Sequence, residues 1–145
     1  MNPLRQLLKS AGSQAPLGTW LMAASPLVTE AMGHAGFQWG VIDMEHTPLD
    51  MMEVIHLLQP AGNTKMVPIV RVPWNDALNI KRVLDAGAQT LLIPFVQTAD
   101  EARRAVAATS ATATSNASRL RSEGTLKPLS LRTNCSDASR ISSSV

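Results

Sequence analysis

Two acids and a histidine lie close together in the segment that runs from Asp43 to His46, directly after the apolar run FQWGVI. Arg71 closes the next apolar run, VPIV. An imidazole can take up and release a proton near neutral pH. A guanidinium offers a planar fork of donors that matches a carboxylate. These residue types predict acid–base chemistry on a substrate that carries an anionic group.

Simpler interpretations of the same residues stay open at this point. Asp43 and Glu45 could form a polar loop and a helix cap, and His46 could be a solvated side chain. Arg71 fits such an interpretation less well, because an unpaired charge at the end of an apolar strand is costly. Trp20, taken alone, is more typical of a packed core than of a site.

The elements that must position these residues alternate between strands and helices. Short apolar runs predict strands at 17–22, 37–43, 67–72 and 90–94. Amphipathic spacing, with caps at Ser25, Asn75 and Thr98, predicts helices at 3–9, 25–35, 49–59, 75–86 and 98–108. Strands that each lead into a helix indicate parallel βαβ units and an α/β fold.

A doubly wound sheet and a (β/α) barrel both fit this alternation of elements. No glycine-rich phosphate-binding motif follows any of the predicted strands, so nothing favours a nucleotide-binding sheet. We therefore predict the N-terminal half of a (β/α)8 TIM barrel, with about four βα units. Such barrels carry catalytic groups just after the carboxyl ends of their strands, where Asp43 and Arg71 lie.

The segment 109–145 differs in composition from the segment 1–108. It holds 15 Ser or Thr residues in 37 positions, against nine in the first 108, and several arginines. We expect 1–108 to be a partial barrel domain and 109–145 to be a disordered tail unrelated to it. Because a complete barrel needs about 250 residues, our hypothesis is that the tail comes from a shifted reading frame. A genuine regulatory tail is the alternative.

Charge and composition argue against several other classes of protein. The first 108 residues carry eight basic and nine acidic side chains, so the net charge of +2 comes from the tail. The tail has no aromatic residue among its charges, which argues against nucleic-acid binding. No apolar run approaches the roughly 20 residues of a membrane span. One cysteine, Cys135, and a poor secretory signal lead us to expect a cytoplasmic protein.

The sequence resembles the HpcH/HpaI group of class II pyruvate aldolases across residues 4–109. Four segments, in order, carry the resemblance: GTWLMAASP, AGFQWGVIDMEHTPLD, VPIVRVPWND and IKRVLDAGAQTLLIPFVQTADEARRAVAAT. It implies a (β/α)8 barrel, a homohexamer, and a divalent metal, Mg²⁺ or Mn²⁺. It also implies the reversible cleavage of a 4-hydroxy-2-oxo acid, a small-molecule substrate, to pyruvate and an aldehyde.

The resemblance also implies roles for individual residues. His46 matches the general base that takes the proton of the substrate hydroxyl, and Asp85 matches the acid that raises its basicity. Arg71 matches the group that holds the pyruvate moiety and stabilises its enolate. Asp43 and Glu45 match the polar lining of a site for metal-bound water. Trp20 matches the apolar wall of the same site.

The metal ligands of this family come from strands in the second half of the barrel, and nothing in 109–145 matches them. We therefore expect no metal ligand in this chain, crippled activity, and exposed sheet edges that favour aggregation. One alternative is a non-catalytic half-barrel that associates with itself or with a partner. Another is an enolate-forming barrel of the citrate lyase β-subunit type, although the D-x-E-H segment favours the simple aldolases.

Overall fold

A computed structural model of the chain describes the backbone of residues 2–122 and the side chains of residues 2–111. Helices and strands alternate along it, as the sequence predicts. In chain order the elements are α1 (Pro3–Ser10), β1 (Gly18–Leu21), α2 (Pro26–His34), β2 (Trp39–Asp43), α3 (Met51–Gly62), β3 (Val67–Arg71), α4 (Ala77–Asp85), β4 (Leu91–Leu92) and α5 (Ala99–Ser122).

The four strands form one parallel sheet in the order β1-β2-β3-β4. Each strand pairs with the next along the chain, and a helix connects every pair. A doubly wound sheet would reverse this order at a switch point. A barrel keeps the order sequential, so the topology matches the predicted half-barrel. The register places Asp43 directly opposite Arg71.

Local capping explains where most of the helices begin. The Ser25 hydroxyl accepts a hydrogen bond from the Val28 N–H at 3.3 Å, which confirms the predicted cap of α2. At α5, the Glu101 N–H donates to the Thr98 hydroxyl at 3.2 Å. In return, the Thr98 N–H donates to the Glu101 carboxylate at 2.9 Å. The predicted capping box is therefore present.

Three predicted helix boundaries were wrong: the start of α4 and both ends of α3. The cap of α4 is Asp76, whose carboxylate accepts from the Asn79 N–H at 2.9 Å, and not Asn75. The carboxylate of Asp50 and the side chain of Glu53 form a capping box at the start of α3, two residues later than expected. α3 also continues through Pro60 to Gly62. A proline removes one backbone donor, and the helix ends two residues beyond it.

α5 continues past Ala108, where we expected order to stop, and ends at Ser122. The helical segment contains neither glycine nor proline and is rich in alanine, the residue with the highest helix propensity. These features oppose the weak helix preference of its serines and threonines. The rest of the predicted tail, 123–145, lies outside the described residues. None of the described helices is both long enough and apolar enough to cross a membrane.

The core lies between the sheet and the helices that cover its outer face. Ile42 and Val70 point outward from the strands and are fully buried, together with Val54 of α3 and Ile80 of α4. Each such side chain contributes about 1.5–3 kcal/mol by leaving water. Since side chains alternate along a strand, the residues next to these core positions point to the opposite, inner face. That face carries the candidate site.

Candidate active site

An ion pair joins the carboxyl ends of β2 and β3. Asp43, the last residue of β2, is only 1% exposed, and Arg71 is the last residue of β3. Arg71 Nε donates to Asp43 Oδ1 at 2.8 Å, and Nη2 donates to Oδ2 at 2.6 Å. This two-point contact is the strongest geometry available to these groups. It fixes the plane of the guanidinium at the mouth of the sheet.

Asp43 also shapes the loop that follows β2. Its Oδ1 accepts the backbone N–H of Glu45 at 2.9 Å and that of His46 at 3.3 Å. The Thr47 hydroxyl donates to the backbone carbonyl of Asp43. A side chain that binds the backbone two residues ahead is a common way to stabilise a tight turn. The loop is therefore held so that Glu45 and His46 stay near Arg71.

The same contacts shift the pKa values of the pair. The Arg71 guanidinium lowers the pKa of the Asp43 carboxyl. Burial opposes this effect, and the two backbone N–H groups add to it. The carboxylate in turn raises the pKa of Arg71. Both partners are therefore charged at neutral pH, and Asp43 is not a proton donor there.

Glu45 lies between the arginine and the histidine. Its Oε2 is 3.0 Å from Arg71 Nη1, and its Oε1 is 3.6 Å from His46 Nε2. Oε2 is buried, but the angle of its contact with Arg71 Nη1 is unsuitable for a hydrogen bond. A buried acceptor without an aligned donor retains capacity for another polar group. The His46 side chain is 63% exposed, so its ring can reach a bound molecule.

Trp20 of β1 contacts the same arginine. The Arg71 Cζ atom lies 4.6 Å from the centre of the Trp20 ring, which is the geometry of a cation–π contact. Because 46% of Trp20 is exposed, it is not a core residue. We expected it to be an apolar wall. The structure places its ring against the guanidinium as well.

A shallow cavity of about 280 Å³ is lined by Trp20, Met22, Asp43, His46 and Arg71. Four of these are residues that the sequence singled out. Sequence reasoning missed Met22, although its spacing of two from Trp20 places both on the same face of a strand. Sequence reasoning also missed Thr47 and its bond to the loop. The cavity is large enough to admit a small acid beside the arginine.

Arg71 retains donors for such an acid. A guanidinium carries five N–H groups. Among the residues that the structure describes, Asp43 takes two of them, and a third faces Glu45. Two N–H groups therefore remain available to a ligand in the cavity.

A larger cavity of about 710 Å³ lies at the opposite end of the sheet. Its walls include His34 and Gly36 at the end of α2, and Lys65 just before β3. His34 lies 4.0 Å from Glu30, but both side chains are exposed, unlike the buried carboxylate that pairs with Arg71. Parallel sheets carry their chemistry at the carboxyl ends of the strands. We therefore place the candidate site at the smaller cavity.

Asp85 lies apart from the other predicted site residues. It ends α4, and its carboxylate pairs with Lys81 one turn earlier. A helix that connects parallel strands ends at the level where the next strand begins. Consistent with this, Gly87 lines a cavity together with Val67 and Pro68, which begin β3. Asp85 and His46 are therefore at opposite ends of the sheet within one chain.

Within residues 2–111, no three His, Cys, Asp or Glu side chains are grouped so that they could hold a metal ion. Within the same range, the buried carboxylate oxygen without a hydrogen bond is Glu45 Oε2, and the positive Arg71 guanidinium lies 3.0 Å from it. A second cation placed directly on it would be repelled. The described residues thus do not by themselves fit a directly bound divalent metal.

Comparison with known proteins relates the chain to one family. The sequence profile described as HpcH/HpaI aldolase/citrate lyase matches residues 17–126, which extends beyond the boundary that we predicted at 108. A solved family member from Burkholderia cenocepacia J2315, described as an HpcH/HpaI aldolase/citrate lyase family protein, is 40% identical. It superposes with a TM-score of 0.67 over 75% of this chain and 43% of its own.

Two curated relatives are enzymes. The 2-dehydro-3,6-dideoxy-6-sulfogluconate aldolase of Pseudomonas putida is 50% identical over 94 residues, which are 65% of this chain and 37% of that enzyme. The 4-hydroxy-2-oxo-heptane-1,7-dioate aldolase of Salmonella dublin is 47% identical over 108 residues, or 74% of this chain and 40% of that enzyme. The chain thus spans about two fifths of the length of these relatives.

Proposed function

This chain belongs to the HpcH/HpaI aldolase/citrate lyase family, and on that premise we propose that its site serves the aldol cleavage of a 4-hydroxy-2-oxo acid. The products are pyruvate and an aldehyde. The observation that carries the proposal is an arginine held rigidly at a strand mouth, with two free donors and an exposed histidine beside it. The two named relatives, both aldolases, support the same class of reaction.

Arg71 binds the oxo-acid end of the substrate in this proposal. The two N–H groups that the described residues leave available donate hydrogen bonds to the carboxylate and to the 2-oxo oxygen. When the bond between C3 and C4 breaks, its electron pair becomes the pyruvate enolate, and charge accumulates on that oxygen. A preorganised guanidinium stabilises this charge without reorganising. Asp43 serves the reaction by holding the arginine in place.

His46 moves the proton. Its ring lines the cavity next to Arg71 and takes the proton of the 4-hydroxyl group as C4 becomes the aldehyde carbonyl. The imidazolium then returns a proton to C3 of the enolate, which completes pyruvate. Glu45, 3.6 Å from the ring, stabilises the positive charge that His46 carries between the two transfers.

A divalent metal, Mg²⁺ or Mn²⁺, remains part of the proposal as a family expectation. When bound, it would supply a second positive charge for the 2-oxo oxygen. Its ligands would have to come from residues other than those described, or from another chain. The role proposed for Asp85 likewise needs another chain. Because Asp85 lies at the other end of the sheet, it could reach His46 only from a second copy, as in the expected homohexamer.

Pyruvate release from 4-hydroxy-2-oxo-heptane-1,7-dioate, with Mn²⁺ added or removed by chelation, tests the proposal. We expect weak turnover, since the chain spans about two fifths of the length of its relatives, and we expect His46→Ala to lower it about 10²- to 10⁴-fold, the usual contribution of a positioned acid–base group. The matched control is His34→Ala, an exposed histidine at the opposite end of the sheet, which should leave turnover unchanged. Equal rates for the two variants would refute the role of His46.

A second candidate is a half-barrel that binds another chain. The exposed inner face favours it, since Trp20 is 46% exposed and Leu92 is 42% exposed. Absence of metal-dependent turnover, combined with concentration-dependent association in sedimentation, would support this candidate over the aldolase. The product distinguishes a citrate-lyase-like cleavage from both candidates, because that cleavage would release an acid in place of an aldehyde.

A further inference from the structure

We propose that Trp20 is a positioning residue that acts through Arg71, holding the guanidinium plane so that its remaining N–H groups meet an oxo acid in one orientation. The proposal rests on the proposed function and deepens it. It assigns to Trp20 a role in the geometry of the reaction beyond that of an apolar wall.

The contact is not a consequence of neighbouring strands. Trp20 belongs to β1 and Arg71 to β3, with β2 between them. Neighbouring strands lie about 4.8 Å apart, so the two backbones are separated by about twice that distance. The guanidinium already lies over β2, where it pairs with Asp43, and the Trp20 ring extends toward it from β1 until its centre is 4.6 Å from Cζ. Such a meeting of two long side chains indicates a specific interaction.

Arg71 is enclosed on three sides. Asp43 occupies the edge formed by Nε and Nη2, Glu45 lies at Nη1, and the Trp20 ring covers one face. The two-point contact with Asp43 would still let the guanidinium tilt out of the plane that it shares with the carboxylate. The ring opposes tilting toward its own face, because it occupies the space into which the group would move.

The enclosure determines how a substrate approaches. A carboxylate in the cavity can then meet Arg71 through the N–H groups that Asp43 and Glu45 leave available, one on Nη1 and one on Nη2. The oxo acid is then held in one orientation relative to His46. Fixing that orientation accelerates the step in which charge develops and affects substrate binding less.

An NMR measurement tests the contact whether or not the chain is active. The Arg71 Nε–H proton, identified by its loss in Arg71→Lys, should be shifted upfield by the ring current of Trp20. We expect Trp20→Phe to keep part of this shift and Trp20→Leu to remove it. A signal at the same position in all three proteins would overturn the proposal. If Trp20→Leu does not fold, the comparison of Trp20→Phe with the unaltered chain still decides.

Kinetics test the positioning role. Trp20→Leu should lower kcat about 2- to 30-fold, which corresponds to the usual strength of a cation–π contact, with a smaller change in KM. Trp20→Phe should recover most of the loss. The control is Trp74→Leu, an exposed tryptophan at the same end of the sheet whose ring lies 4.3 Å from Phe95. It should leave kcat unchanged.

The outcomes distinguish the two proposals. If the unaltered chain neither cleaves the substrate nor binds pyruvate while the ring-current shift is present, the proposed function fails and the Trp20–Arg71 contact stands. If the unaltered chain is active and Trp20→Leu retains full kcat, the positioning role is overturned and the function stands. A loss confined to KM would also overturn it, because it would show uniform binding alone.

Discussion

The two ends of the sheet differ in what their cavities contain. At the carboxyl end, a small cavity is built from a buried ion pair, an exposed histidine and a tryptophan. At the amino end, a cavity more than twice as large is bordered by helix ends and loop residues. If our proposal is right, the size of a cavity does not locate the chemistry in this fold. Charges fixed at strand ends do, because the parallel strands deliver them to one place.

Of the substitutions at the two ends of the sheet, we expect Arg71→Ala to have the largest effect on kcat and on the free energy of unfolding. It removes the donor proposed for the enolate, so we expect kcat to fall about 10²- to 10³-fold. It also leaves Asp43 buried and unpaired, which should cost about 3 kcal/mol of unfolding free energy. Enzyme assay and urea unfolding measure the two effects. Lys65→Ala, at the amino end, is the control and should change neither. A stable, active Arg71→Ala protein would contradict the comparison.

Acid should lower the free energy of unfolding through the same Asp43–Arg71 ion pair. Arg71 holds the folded pKa of Asp43 below its ordinary value of 3.8. The resulting stabilisation is therefore complete above about pH 4 and is lost as the pH falls through the lowered folded pKa. Unfolding free energy measured from pH 7 to pH 3 should fall more steeply for the unaltered chain than for Asp43→Asn. Parallel curves would show that the pair contributes nothing.

Gly33→Ala changes the amino end of the sheet, where we expect an effect on stability and none on catalysis. An added Cβ would lie 2.6 Å from the Thr64 Cβ atom, well inside contact distance. Alanine gains about 1 kcal/mol of helix propensity over glycine, but overpacking costs about 1–3 kcal/mol. We expect a net loss of unfolding free energy with kcat unchanged. Gly62→Ala, which meets nothing within 4 Å, is the matched control and should not be destabilised.

Much of the fold could be predicted because local signals coincide with it. Serine before Pro26 and the pairing of Thr98 with Glu101 mark helix starts through short-range hydrogen bonds. The failures lie where two local signals compete. Asn75 and Asp76 are both good caps, and only the packed structure shows which one bonds to the helix. β4 contains only Leu91 and Leu92, because strand length is decided by pairing with a neighbour and not by the apolar run.

The site could be predicted in part for the same reason. Asp43 and Arg71 end neighbouring parallel strands, so topology alone brings them to one edge. The contact between Trp20 and Arg71 could not be predicted, because it depends on rotamers that extend over an intervening strand. The role of Asp85 came from resemblance, and the fold of one chain separates it from His46. It remains a proposal.

The direct pairing of Asp43 with Arg71 in register has a consequence for how the sheet assembles. A shift of β3 by one residue against β2 would turn the Arg71 side chain toward the apolar core beneath the helices. It would also leave the Asp43 carboxylate without its partner. Misaligned strands would therefore meet a large electrostatic penalty when the helices dock on the sheet. The Asp43–Arg71 pair thus favours the observed register, and we expect that replacing both residues with neutral ones would make strand pairing less specific.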